Sequence, residues 1–425
     1  MQQQATGTTL ELDIGPVAHG GSCVARHEGQ VVFVRHALPG ERVRATVTEE
    51  RSRYLRADAV EVLEASPDRV QQPCPYAGPG LCGGCDWQHA TLEGQRRLKA
   101  QVIEEQLQRL AGIERSVTVE PVPGDETGLD WRTRTRFAVG KDGVVGFRRH
   151  RSHEVQPVET CPITHPAVED LGVERRTWAH VSEVEAIASV DTGDRAVVVT
   201  PEQRDSPTEV PPLDTSASVL REVGGGRTER VRGRPGVREH AAGRQWRVSG
   251  SGFWQVHAGA ADLLADAVLG ALEPGAGESV LDLYCGVGLF AGVLGERVGP
   301  GGRVIGVESD RTAAGDARSN LRDLSQAQVE QGRVIDVLDG LGLRRSDLVV
   351  LDPPRTGAGR DVVARLSALQ TRRIAYVACD PAALARDLAY FGERGWQLET
   401  LRAWDLFPMT HHVECLAVLS PDGGA

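Results

Sequence analysis

The sequence predicts an α/β protein: a C-terminal doubly wound parallel sheet, preceded by a small β-barrel and a mostly-β middle region that carries a cysteine cluster. Three observations predict this. After SGSGFWQV, the apolar strands ESVLDLYCGVG, GRVIGVESD, SDLVVLDPP and IAYVACDP alternate with helical spans such as AGAADLLADAVLGAL, the order of a Rossmann-like sheet. Between Thr9 and Glu64, four short strand patterns (LELDIG, GQVVFVRHAL, RVRATVTEE, ADAVEVLE) follow one another across Gly and Pro signals, the spacing of a compact barrel. Between them, PCPYAGPGLCGGCDWQHA sets Cys74, Cys82 and Cys85 in a C-x7-C-x2-C array.

The boundaries that follow are 1–66 for the barrel, 67–245 for the central region and 246–425 for the Rossmann-like unit. With 425 residues, each unit can bury its own core. The start MQQQATGTT has neither a basic cluster nor an apolar core, and no segment approaches the length of a membrane span. A cytoplasmic, monomeric protein with no membrane partner is expected. Eight cysteines are too few for a disulfide scaffold in a chain this long, so their clustering points to metal or catalysis in a reducing compartment.

In the central region, TLEGQRRLKAQVIEEQLQRLAG repeats Leu98, Val102, Ile103, Gln106, Leu107 and Leu110 at helical spacing before Gly112. It reads as a structural connector. From about 115 to 245 the pattern is mostly strands, with SPTEVPPLDTSAS and REVGGGRTERVRGRPG read as loops. The net charge of −11 argues against nonspecific nucleic-acid binding, but 131–153 carries seven Lys or Arg against one acid, Asp142. On a strand, Arg132, Arg134 and Arg136 share a face and could follow a phosphate backbone; the same charges would also suit a solvated edge strand.

In the Rossmann-like unit, the first strand runs into Gly286 and Gly288, where a backbone without Cβ atoms can approach a ligand. Glu308 ends the second strand twenty residues after Gly288 and would accept bonds from ribose hydroxyls. Gly286 to Ala291 also satisfies the G-x-G-x-x-A dinucleotide fingerprint, so a dinucleotide-dependent iron-sulfur oxidoreductase competes. Asp282 before the loop and LDPPRTG after a later strand favour a methyl-donor site, with Asp352 meeting the donor or a target base and Pro353-Pro354 stiffening its turn. Asp336 is a weaker candidate for the donor's adenine or ribose.

Cys379, in YVACDPAALARDL, ends a strand at the edge where open α/β sheets bind ligands. The following helix N-terminus is expected to favour its thiolate. Glu414, in MTHHVECLAVL, supplies a carboxylate 35 residues on. A thiolate that adds to carbon 6 of uracil makes carbon 5 nucleophilic, and a base must then remove the carbon-5 proton. Cys285 and Cys415 read as core residues, and Cys23, isolated in the barrel, stands apart from the cysteine cluster. With Cys161 as a fourth thiolate, the cysteine cluster suits iron-sulfur or zinc.

The stretch LELDIGPVAHGGSCVARHEGQVVFVRHALPGERVRATV resembles the TRAM domain, a barrel appended to RNA-modifying enzymes. LDLYCGVGLF, LDPPRTG, YVACDPAALARDL and HHVECLAVL resemble the RNA uracil-C5 methyltransferase family. That resemblance implies Cys379 as nucleophile, Glu414 as base, and Gln255, Tyr284, Glu308 and Asp352 as S-adenosylmethionine-binding residues. It also implies a 4Fe-4S cluster on Cys74, Cys82, Cys85 and Cys161, with zinc as the alternative. The product would be 5-methyluridine, in 23S ribosomal RNA rather than transfer RNA. Leu289, Ala378 and His257 depart from the family's usual Asn, Ser and Asn without removing a catalytic group. A noncatalytic RNA-binding protein is a third reading. Phe253 or Trp254 would supply base stacking.

Overall fold

The computed structural model describes residues 6–204, 206, 209–224, 226–250 and 252–423, which form four β-sheets. The first five residues of the N-terminal stretch read above lie outside them, as do 207–208 and 225 in the two expected loops. None of the described helices is long and apolar enough to cross a membrane.

Strands β1 (Thr9–Asp13), β2 (Cys23–His27), β3 (Gln30–Arg35), β4 (Arg42–Arg51) and β5 (Tyr54–Glu64) form a five-stranded sheet in the order β1-β4-β5-β3-β2. Alternation turns Leu10 and Leu12 of β1, and Val43, Ala45 and Val47 of β4, into one core. Trp87 and, from helix α1 (Leu92–Gln106), Leu98 and Val102 complete that core. Side chains from beyond residue 66 thus pack on the barrel. Thr91 caps α1 by accepting from Gly94 N, and a π turn over Leu107–Ala111 ends at Gly112, whose φ is 66°. While Leu98 and Val102 face the barrel, Ile103 and Leu107 join the C-terminal core. Its buried Lys99 pairs with Asp405 and donates to Phe407 O at 3.1 Å. The connector is thus a strut between two cores.

After β6 (Val119–Glu120), β7 (Arg134–Val139), β8 (Val145–Arg148) and β9 (Val155–Pro157) lead to the short helix α2 (Pro166–Glu169), then β10 (Val181–Ala188), β11 (Arg195–Pro201), β12 (Ser218–Gly224) and β13 (Arg227–Arg232). Except for β6, these strands make a seven-stranded sheet, β13-β12-β11-β10-β7-β8-β9. REVGGGRTERVRGRPG, expected as a loop, is instead most of the β12–β13 hairpin. Its β13 arm is exposed or half-buried throughout, so it shows no apolar alternation; only Val219 and Leu220 of β12 anchor the pair in cores. The hairpin of β14 (Gly236–Ala241) and β15 (Arg244–Ser249) sends Val237, Trp246 and Val248 into the core shared with the C-terminal unit.

That unit comprises α3 (Ala260–Leu272), β16 (Ser279–Leu283), α4 (Leu289–Val298), β17 (Arg303–Glu308), α5 (Arg311–Asn320), β18 (Ala327–Gln331), α6 (Val334–Leu341), β19 (Leu348–Leu351), α7 (Gly359–Ser367), β20 (Arg373–Ala378), α8 (Pro381–Gly392), β21 (Trp396–Trp404) and β22 (Glu414–Pro421). The sheet order is β18-β17-β16-β19-β20-β22-β21-β6, parallel from β18 to β20, with β22 antiparallel to both neighbours. Winding reverses between β16 and β19, which opens a crevice at their carboxyl ends. Antiparallel β22 starts at the edge where β20 stops, so it brings a side chain there from the other direction.

Candidate active site

Three neighbouring strands deliver three reactive groups to one edge. Asp352 follows β19, Cys379 follows β20, and Glu414 opens β22; the Ala378–Cys415 register sets Cys379 next to Glu414. Their electrostatics interlock. Burial, then Glu414 and Asp352, push the Cys379 thiol up to about 12, while Arg355 pulls it back. Burial and Asp352 hold Glu414 well above the carboxylate range, and burial raises Asp352 to about 7. Two adjacent carboxyl groups resist joint ionisation. Glu414 Oε1 is buried with no hydrogen-bond partner.

The expected thiolate is thus not favoured in the free protein. The N-terminus of α8 is capped by Asp380, whose Oδ1 accepts from Ala383 N at 2.8 Å, so an acid beside Cys379 already occupies that positive end.

Walls from distant segments surround the thiol. His19, Gly20 and Gly21 of the barrel, Val102 of α1, and Arg355, His411 and His412 line the same cavity as Cys379. His19 Nε2 meets Asp380 Oδ2 at 3.2 Å, and Arg355 meets His412 Nε2 at 3.3 Å. At Gly21 (φ 85°), a Cβ would lie 2.8 Å from His411 Cβ, so this approach requires glycine. Sequence reasoning missed these walls. Arg355 stands inside LDPPRTG and the histidines inside MTHHVEC, but nothing local marks His19 as their neighbour.

The glycine loop leaves β16 in left-handed conformations: Tyr284 at φ 63°, Gly286 at 54° and Gly288 at 94°. Gly286 N donates to Glu308 Oε2 at 3.0 Å, and Asp310 N to Glu308 Oε1 at 2.6 Å. Asp282 is fully buried; Ala291 N donates to its Oδ2 at 2.7 Å while Oδ1 has no partner. Space stands open where a Cβ of Gly286 would be. An open crevice beside a strand-end carboxylate fits a ribose-bearing donor.

The chain also has relatives among known proteins. The TRAM domain profile matches residues 3–60, and the tRNA (uracil-5-)-methyltransferase profile matches 244–421. The chain is 56% identical over 428 residues to an uncharacterized RNA methyltransferase of Streptomyces avermitilis, covering 98% of this chain and 99% of that protein. It is 35% identical to one of Bifidobacterium longum, covering 99% and 98%. The chain belongs to the RNA methyltransferases of the tRNA (uracil-5-)-methyltransferase family. Its fold is also that of the tRNA (uracil-54, C5)-methyltransferase of Pyrococcus abyssi, solved with S-adenosyl-L-homocysteine (TM-score 0.72, 23% identity, 96% of this chain and 100% of that one). Membership in a methyltransferase family displaces the oxidoreductase and noncatalytic readings.

In this methyltransferase, Gln255 is buried just after the β15 loop. Asp336 follows β18 at the carboxyl edge of the sheet. It sits exposed on the first turn of α6, 3.8 Å from Arg333.

The three arginines do not form a row. Arg134 is buried and donates to Gly252 O. Arg136 is matched to Glu183 (3.2 Å) and Glu185 (3.4 Å) on the neighbouring strand β10. Arg132, before the strand, donates to Arg134 O at 3.1 Å and lines the cysteine cavity. Cross-strand acids, invisible to a single-strand reading, absorb the charge. Of the two aromatics, Phe253 is 63% exposed, whereas Trp254 is buried beside Trp246.

Cys74, Cys82, Cys85 and Cys161 line one largely apolar cavity with Tyr76, Phe147 and Ile163. Burial pushes the Cys82 thiol up to about 11, with Cys161 and Cys74 adding to the shift. Zinc would draw thiolates to about 2.3 Å from one point. Among the described residues no group of three Cys, His, Asp or Glu is placed to hold a metal ion.

Proposed function

We propose that this methyltransferase forms 5-methyluridine in RNA from S-adenosylmethionine, with Cys379 attacking carbon 6 of uracil and Glu414 removing the carbon-5 proton. The observation that carries this reading is the meeting of Cys379, Glu414 and Asp352 at three adjacent strand ends. The donor would lie against Gly286, Gly288, Tyr284, Glu308 and Gln255. When bound, it supplies an activated methyl group on a sulfonium, whose positive charge would favour ionisation of the nearby thiol and carboxyls.

Cys379 loses its proton to solvent and its thiolate forms the carbon–sulfur bond at carbon 6, so the ring's double-bond electrons move to the carbonyl oxygen at position 4. As those electrons return, carbon 5 takes the methyl group and the donor's sulfur leaves as a neutral thioether. Glu414 accepts the carbon-5 proton, and the electrons of that bond expel the Cys379 thiolate. A carboxyl held well above its ordinary range is a strong proton acceptor once ionised. The target base must leave its stack, at a cost of a few kcal/mol, to reach Cys379.

The substrate is taken to be 23S ribosomal RNA, on the four-cysteine resemblance. Nucleoside mapping in a deletion strain tests it: 5-methyluridine should disappear from one position of 23S RNA, and its loss from transfer RNA would reassign the substrate. We assign the cysteine cavity to a 4Fe-4S cluster. Each thiolate of a cubane binds its own iron, so the four need not converge on one point as around zinc. Protein purified without oxygen should carry about four iron and four sulfide per chain. Stoichiometric zinc instead would overturn the assignment.

A further inference from the structure

The seven-stranded sheet ends on β13. Residues 227–234 carry Arg227, Arg230, Arg232 and Arg234 against one acid, Glu229, in a chain of net charge −11. All four arginines are exposed. Elsewhere in this region arginines are matched: Arg136 to Glu183 and Glu185, Arg238 to Asp194 at 2.9 Å, and Arg244 to Asp323 at 2.8 Å. Arg234 shares Asp194 at 3.3 Å, but Arg227, Arg230 and Arg232 form no ion pair among the described residues.

The position of this edge is as informative as its charge. At the start of β13, a Cβ on Gly226 would lie 3.7 Å from Asp310 Oδ2, two residues past Glu308. At its far end, Pro235 O accepts from Gly250 N at 3.3 Å, in the loop that runs to exposed Phe253 and on to Gln255. The segment from Gly226 to Pro235 therefore runs from the α5 cap beside Glu308 to the β15 loop.

Unmatched guanidinium groups repel one another and suit planar recognition of phosphate. We propose that β13 and Arg234 form a docking edge for the phosphate backbone of the substrate RNA, reached from the Glu308 end of the donor crevice. This rests on the chain being an RNA methyltransferase and not on the uracil chemistry. The competing explanation is an edge strand that uses charge to block aggregation.

The test is the triple variant R227Q/R230Q/R232Q, titrated against a fluorescein-labelled stem–loop RNA with loop uridines over a salt series. Binding is read without turnover, so failure of the proposed chemistry would leave the result intact. The slope of log affinity against log salt should fall in magnitude by about 2 to 3, with affinity reduced on the order of 10- to 100-fold. In turnover, KM should rise while kcat at saturating RNA stays near wild type. The Lys triple variant should restore the slope, and R136Q should leave it unchanged. Should the triple variant fold poorly, each single Gln variant should lower the slope by about 1. An unchanged slope and affinity would overturn the proposal, as would aggregation with no change in slope.

Discussion

Cys379→Ser should lower methyl transfer on the order of 10⁴- to 10⁶-fold, the scale seen when a covalent nucleophile is removed. That corresponds to about 5 to 8 kcal/mol of barrier. Serine nearly preserves shape at this half-buried position, so unfolding is not the expected cause. The loss is chemical. Burial, then Glu414, Asp352 and Asp380, already make ionisation of the thiol costly, and an alcohol is a far weaker acid. Incubation of wild-type protein with donor and 5-fluorouridine RNA should trap an adduct that survives denaturing electrophoresis, because fluorine at carbon 5 cannot leave as a proton. The serine variant should form none. An adduct in Cys379→Ser, or turnover within tenfold of wild type, would place the nucleophile elsewhere.

What could be read from the sequence follows from which forces are local. LVVL and RIAYVA are apolar runs buried on both faces, so their strand identity and the polar residue just past each end were visible without a partner. The glycine loop was visible because its left-handed turns need Gly286 and Gly288. What depended on partners was not. The arginine row failed because Glu183 and Glu185 reach Arg136 from 47 and more residues away. β13 was invisible because an edge strand with no buried residue carries no alternation. The expected Cys379 thiolate failed for the same reason: the helix end and Asp380 were legible, but the burial of the thiol and the carboxyls of two other strands appear only in three dimensions.

Glu414→Gln should turn over ~10²–10⁴-fold more slowly, the usual contribution of a general base, and should accumulate covalent RNA on an ordinary uridine substrate. Gln keeps the size and polarity of the side chain at this buried strand start but cannot accept the carbon-5 proton. Adduct formation and methylation would then precede the blocked step. The outcome separates two roles for the same residue: if Glu414 instead takes the thiol proton, the variant forms no adduct at all. Stability supplies a second readout. Glu414 keeps its proton in the folded protein well above its ordinary 4.5, whereas the unfolded chain releases it near that value. The folded state therefore binds more protons, and stability falls as pH rises above about 4.5. Glutamine lacks this cost, so the Tm of the variant relative to wild type should climb with pH. A constant difference across that range would mean Glu414 is not held protonated by its burial beside Asp352.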